Sequence, residues 1–125
     1  MNESLIFFVD DEPVFINLLE YTFKCKNNYI TEAFDNGEKC IEQLSLNPDL
    51  VVMDYLLDNS NKQMNGLDVA RVIRKEKPHI PIIILSGCEE ETVVKEFMNI
   101  GVEKFILKDG YFIDNLRESI LEMLP

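Results

Sequence analysis

The chain is short of positive charge, of cysteine and of histidine, and it has no long apolar run. Twelve Lys and Arg stand against 23 Asp and Glu, for a net charge of -11. A surface this acidic repels phosphate backbones and anionic lipid, which argues against direct nucleic-acid or membrane binding. The cysteines are Cys25, Cys40 and Cys88, with no C-x-x-C spacing, so neither a disulfide framework nor a zinc site is suggested. Cys40 falls on an apolar helix face, as a small buried thiol does. No apolar run reaches membrane-spanning length, and Met1, Asn2, Glu3 and Ser4 do not make a basic signal-peptide start. A reducing cytoplasm fits this pattern. No P-loop, H-E-x-x-H or G-x-G-x-x-G occurs, so nucleotide hydrolysis, zinc proteolysis and Rossmann binding lose their usual support.

What is present is an alternation. The 125 residues fit one domain, 1–125, with no internal linker or repeat and no output domain expected. Leu5–Val9, Leu50–Met53, Ile82–Leu85 and Phe105–Leu107 read as strands buried on both faces, and the more polar Tyr29–Ala33 reads as an edge strand. Helical spacing fills the gaps. Phe15, Leu18, Leu19, Thr22 and Phe23 mark a first helix begun at Pro13. Cys40, Ile41 and Leu44 mark a second, closed by Asn47 and Pro48, and Val69, Val72 and Ile73 a third. Val94, Phe97 and Met98 mark a fourth, ended by Gly101, and Ile113, Leu116, Ile120, Met123 and Leu124 a fifth. Strand–helix repeated five times implies an α/β fold, a parallel sheet with helices on both faces.

In such sheets the binding crevice lies beyond the carboxyl ends of the strands. The residues that follow the strands are Asp10 and Asp11, Asp54, Ser86 and Gly87, and Lys108. Singly, each has a plain explanation: a helix cap for Asp11 or Ser86, a solvated lysine for Lys108. Together they are harder to dismiss, because clustered carboxylates repel one another and call for a cation. Mg²⁺ suits the place, since it binds through one or two carboxylates and keeps positions for water and phosphate oxygens. The only histidine, His79, precedes the fourth strand at the opposite edge, where it is a poor candidate for relaying phosphate.

The segments Phe8-Val9-Asp10-Asp11-Glu12, Val51-Val52-Met53-Asp54, Ile84-Leu85-Ser86-Gly87 and Phe105-Ile106-Leu107-Lys108 resemble the receiver domains of two-component response regulators. The resemblance implies a flavodoxin-like doubly wound sheet in the order 2-1-3-4-5. It implies that Asp54 takes a phosphoryl group from the phosphohistidine of a sensor kinase or phosphotransfer protein. Asp11, Asp54 and the backbone carbonyl of Leu56 would bind Mg²⁺ directly, and Asp10 through a water. Lys108 would pair with Asp54 and then with the phosphoryl oxygens. Ser86 would turn its hydroxyl onto the phosphoryl group, and Phe105 would move inward with it, although Phe105 also reads as a plain core aromatic. The switch would alter a partner-binding face around the fourth and fifth strands, for a downstream effector or for a phosphorylation-dependent dimer. No separate substrate would be turned over.

The sequence also departs from that pattern. Asp109 follows Lys108 where the family has a proline in a cis bond, so a trans bond is expected and Asp109 stands as a rival for the lysine's charge. Tyr55 to Asn65 is longer than usual and polar, with Asp58, Asn59, Ser60 and Asn61; a surface insertion is the plainer reading, a partner-reading loop the other, and Asp58 a rival ligand. Leu56 and Cys88 stand where the family tunes hydrolysis, and neither guides water strongly, so slow loss of the phosphoryl group is expected. The departures keep a degenerate, phosphorylation-independent interaction module open as an alternative. A phosphohydrolase using Asp54 as a transient nucleophile would need a dedicated general acid or base, and none is evident.

Overall fold

The structure is a computed structural model and describes residues 3–24, 28–55, 64–87 and 90–124. Strands and helices alternate as β1 (Ser4–Val9), α1 (Pro13–Lys24), β2 (Tyr29–Phe34), α2 (Gly37–Glu42), β3 (Leu50–Asp54), α3 (Gly66–Glu76), β4 (Ile82–Ser86), α4 (Glu91–Ile100), β5 (Lys104–Leu107) and α5 (Phe112–Met123). A short 3-10 turn at Leu44–Leu46 follows α2 and ends at Asn47 in the left-handed region. The five strands are parallel in the order β2-β1-β3-β4-β5, as expected.

Side-chain alternation divides the sheet between two cores. Phe7, Val9, Val51, Met53, Ile82 and Ile84 point to one face, where they meet Cys40 of α2, Val69 and Ile73 of α3 and Phe97 of α4. Ile6, Phe8, Leu50, Val52, Ile83, Leu85 and Ile106 point to the other, where Leu19 and Phe23 of α1 and Leu116 and Ile120 of α5 cover them. β1, β3 and β4 are buried nearly throughout, and β2 is an edge strand. The structure corrects the reading of β5. It is the second edge, and only Ile106 of its four residues is buried. Two helix faces are corrected as well: Leu18 is 39% exposed and Met98 50%, while Ile16 and Val93 pack inward beside them.

Local chemistry fixes the helix starts. The Asn36 side chain accepts the Lys39 amide at 2.9 Å, and the Asn65 side chain accepts the Asp68 amide at 2.9 Å, each satisfying an orphan donor of the first turn. Gly101, at φ 95, ends α4 in the left-handed conformation that glycine adopts without cost. Gly66 serves a different purpose. A Cβ there would stand 2.8 Å from the carbonyl oxygen of Tyr55 and 3.0 Å from that of Asp54, so only glycine lets α3 begin against the end of β3. Gly87, after β4, has open space where its Cβ would be.

At the other end of the sheet Arg74 closes the base. Its guanidinium donates to the carbonyls of Pro78, Ile80 and Gly101 at 2.8–2.9 Å and meets Glu103 at 3.2 Å, whose carboxylate in turn accepts the Ile82 amide.

Cys40 is fully buried in the first core, and burial pushes its thiol up to about 12. Alkylation of Cys40 by iodoacetamide at about pH 8, read by peptide mass mapping, should be about a thousandfold slower in the folded protein than after unfolding, because the thiolate is the reacting species. Comparable rates in the two states would mean that α2 does not seal this face.

Candidate functional site

The hydrogen-bond ladder runs one residue past the strands, and that extension builds the site. The Asp10 amide donates to Phe34 at 3.1 Å, the Tyr55 amide to Leu85 at 2.8 Å and the Lys108 amide to Ser86 at 2.7 Å. Asp10, Asp54, Ser86 and Lys108 therefore reach one edge together. Alternation then sorts them by face. Asp10 continues the Ile6, Phe8 series, Asp54 the Leu50, Val52 series and Lys108 follows Ile106, all on the α1–α5 side. Ser86 continues Ile82 and Ile84 on the α2–α4 side, together with Phe105.

Asp10 and Asp54 are 1% and 4% exposed, and they share one cation. The Lys108 ammonium lies 3.0 Å from Oδ2 of Asp10 and 3.0 Å from Oδ1 of Asp54. Burial raises the Asp54 carboxyl above its ordinary value, the Asp10 charge raises it further, and Lys108 offsets only part of this. For Lys108 burial pulls downward, but its bonds to Asp54 and Asp10 outweigh that pull and raise it. The ammonium thus stays charged between two carboxylates. Its third side lies over the Phe15 ring, 3.8 Å from the centroid.

The feared competition from Asp109 does not occur. Its carboxylate is turned to the chain ahead, accepting the Tyr111 amide at 2.8 Å. No cis peptide bond is found among the described residues, so Lys108 and Asp109 are joined in trans.

Asp11 is half-exposed beside Asp10, and the carboxylate oxygens of Asp10, Asp11 and Glu12 lie within 4.8 Å of one another. An all-oxygen set of this kind fits Mg²⁺ or another hard cation. Oδ1 of Asp10 already accepts the Glu12 amide at 2.9 Å and Oδ2 accepts Lys108, which leaves Asp11 the less committed carboxylate. An open cleft of about 330 Å³ flanks the Asp10–Asp11 pair, walled by Pro13, Ile16, Asn17, Phe34 and Lys39.

Ser86 is buried at the end of β4. Phe105 is half-buried and packs on Phe97 with centroids 5.9 Å apart, while Tyr55 meets Phe97 edge-on at 5.7 Å. His79 is exposed in the turn before β4, far from the carboxylate edge as expected. Leu56, Asp58, Asn59, Ser60, Asn61 and Cys88, along with Cys25, lie outside the described residues. Sequence reasoning placed Phe15 only on a helix face and gave Gly66 and Glu12 no role. The Asn65-Gly66 pair at a helix start was a usable signal for Gly66; Phe15 offered none.

The family model described as the response regulator receiver domain matches residues 6–120. Among curated relatives, the response regulator protein VraR of Staphylococcus saprophyticus is 30% identical over 105 residues, covering 82% of this chain and 48% of that protein. The Regulator of RpoS of Escherichia coli is 30% identical over 120 residues, covering 95% of this chain and 34% of that protein. The chain thus spans half or less of the length of these relatives. The chemotaxis protein CheY4 of Vibrio cholerae superimposes with a TM-score of 0.86 at 16% identity, over 98% of this chain and 99% of that one. The response regulator domain of Thermotoga maritima CheB gives 0.81 at 22% identity, over 98% and 94%. At these identities the two structures speak for the fold alone.

The raised Asp54 carboxyl has a consequence for stability. A group held above its ordinary value favours folding below that ordinary value and loses the contribution as pH rises through the folded one. Asp54→Asn should therefore raise the thermal midpoint at about pH 7 in EDTA, with the gain shrinking as the pH falls toward about 4. A midpoint lowered by the substitution at neutral pH would contradict the burial and repulsion described above.

Proposed function

The chain belongs to the response regulator receiver domain family, and from that premise we propose that it is a phosphoacceptor switch working through Asp54. The observation that carries this reading is the Lys108 ammonium held 3.0 Å from both Asp54 and Asp10 at the buried edge of the sheet. A carboxylate attacking an anionic phosphorus needs positive charge beside it, fixed in advance. An Asp54 oxygen attacks the phosphorus of a kinase or phosphotransfer phosphohistidine. The new O–P bond forms as the P–N bond breaks, and its electron pair stays on the donor's imidazole.

Mg²⁺, when bound, supplies the further charge that shields this approach. In this proposal Asp11, Asp54 and the Leu56 carbonyl would hold the ion directly and Asp10 would act through a water. The occupied oxygens of Asp10 support the indirect role, and Glu12 sits close enough to join the set. Lys108 moves from the carboxylate to the phosphoryl oxygens, and Ser86 offers its hydroxyl from the opposite face. Phe105, already against Phe97, would carry the change to α4 and β5. The added phosphoryl charge biases that face between two arrangements, for an effector or a second copy of the chain. The reading takes residues 1–125 as a single receiver domain with no substrate turnover, working in the cytoplasm. No helix among the described residues is long and apolar enough to cross a membrane. The paired Lys108 supports an active acceptor over the degenerate alternative.

Acetyl phosphate or beryllofluoride should modify the protein only when Mg²⁺ is present, and Asp54→Asn should abolish the effect, both measured by intact mass or phosphate-dependent shifts in NMR spectra. No response in the wild type would leave the phosphorylation-independent module as the better reading. Once formed, the phosphoprotein should release phosphate over minutes or longer, and complete decay within seconds would refute the role given to Leu56 and Cys88. Repeated turnover of small phosphoesters would point instead to a phosphohydrolase.

A further inference from the structure

We propose that Phe15 is a positioning residue for Lys108, its ring face holding the ammonium in line between Asp54 and Asp10. The inference rests on the reading of Asp54 as the acceptor and adds a member to that site which no motif contains.

The geometry is three-sided. Two carboxylate oxygens take the ammonium at 3.0 Å each, and the centroid of the Phe15 ring lies 3.8 Å from the same nitrogen. The face of a benzene ring is the negative side of its quadrupole, so it attracts a cation without accepting a proton. That attraction is strongest where water is excluded, and the Lys108 side chain is only 9% exposed. The ring is itself braced. Phe112, the first residue of α5, meets it edge-on with centroids 5.8 Å apart, and both belong with the core on that face. Phe15 lies in the first turn of α1, immediately after the Asp10-Asp11-Glu12 segment, so the helix that follows the acidic turn also delivers the ring.

Carboxylates alone do not fix a lysine. Four flexible methylenes carry a compact charge that rotates freely among acceptors. The neighbouring acid does not hold it either, because Asp109 turns its carboxylate to the Tyr111 amide. The ring supplies the missing third constraint. It also suits a moving ammonium, since a π face has no single acceptor direction and tolerates the short shift from the Asp54 oxygen toward phosphoryl oxygens.

Two measurements test this. The Lys108 side-chain methylene protons should show an upfield ring-current shift in NMR spectra of the unphosphorylated protein, lost in Phe15→Leu and kept in Phe15→Tyr. This readout needs no phosphorylation. Second, Phe15 is replaced by phenylalanines carrying increasing numbers of fluorines, which weaken the quadrupole while nearly preserving shape. The rate of Asp54 modification by acetyl phosphate with Mg²⁺ should fall stepwise along the series, by about fivefold to tenfold in total, with the circular dichroism spectrum of the folded protein retained. Phe15→Tyr should retain the full rate. A ring-current shift with a rate indifferent to fluorination would overturn the positioning role, and absence of the shift would overturn the contact itself. Failure of the wild type to be modified would overturn the acceptor reading and this role with it, while the ring-current result would still report the contact.

Discussion

Two carboxylates buried side by side repel each other, and the molecule answers with one ammonium between them. Taking such charges out of water costs several kcal/mol per ion, roughly, unless each finds a partner. Lys108 is that partner for both Asp10 and Asp54, and each of the three groups is delivered by a different strand. The arrangement exists only if β1, β3 and β5 end within two residues of one another in the register. Sheet order, register and the extra ladder bonds of Asp10 and Lys108 thereby become conditions for a tolerable charge balance. Burial and the Asp10 charge keep the Asp54 carboxyl raised despite Lys108, so a further cation at this edge would be favoured.

Alternation along the strands gives the site two sides. Asp10, Asp54 and Lys108 share the face covered by α1 and α5, and Phe15 and Phe112 close over the lysine from there. Ser86 and Phe105 belong to the face covered by α2, α3 and α4, where Tyr55, Phe97 and Phe105 form a row of aromatics. The charged groups are held on one side of the sheet, and Ser86 with the Tyr55, Phe97 and Phe105 rings stands on the other. Asp54 and Tyr55, adjacent in the chain, join the two.

The strand ends were legible in the sequence because a strand buried on both faces declares itself as an apolar run and its end as the first charged residue. Asp10 and Asp54 emerge where that rule puts them, and the polar Ser86 closes the buried β4 in a similar way. Edges were less legible: Phe105–Leu107 reads as apolar as any inner strand, yet it lies at the border of the sheet. Periodicity placed Leu18 and Met98 inward because it reports the direction of a stripe and not its width. Asp109 looked like a competitor because sequence proximity to Lys108 says nothing of direction, and its carboxylate is satisfied by the turn into α5. Phe15 was illegible because it acts through a contact between elements, ring against ammonium, that no spacing encodes. Gly66 was partly legible, since Asn65 before it marks a helix start, but its close approach to β3 was not.

The two glycines that border the central strands stand in opposite surroundings. At Gly66 backbone abuts backbone, so any larger residue would part the start of α3 from the end of β3. At Gly87 a Cβ would meet open space, while the Arg74 clasp ties the far ends of β4 and β5 to α3 and α4. The sheet therefore accepts a side chain just past β4 and forbids one where α3 starts against β3.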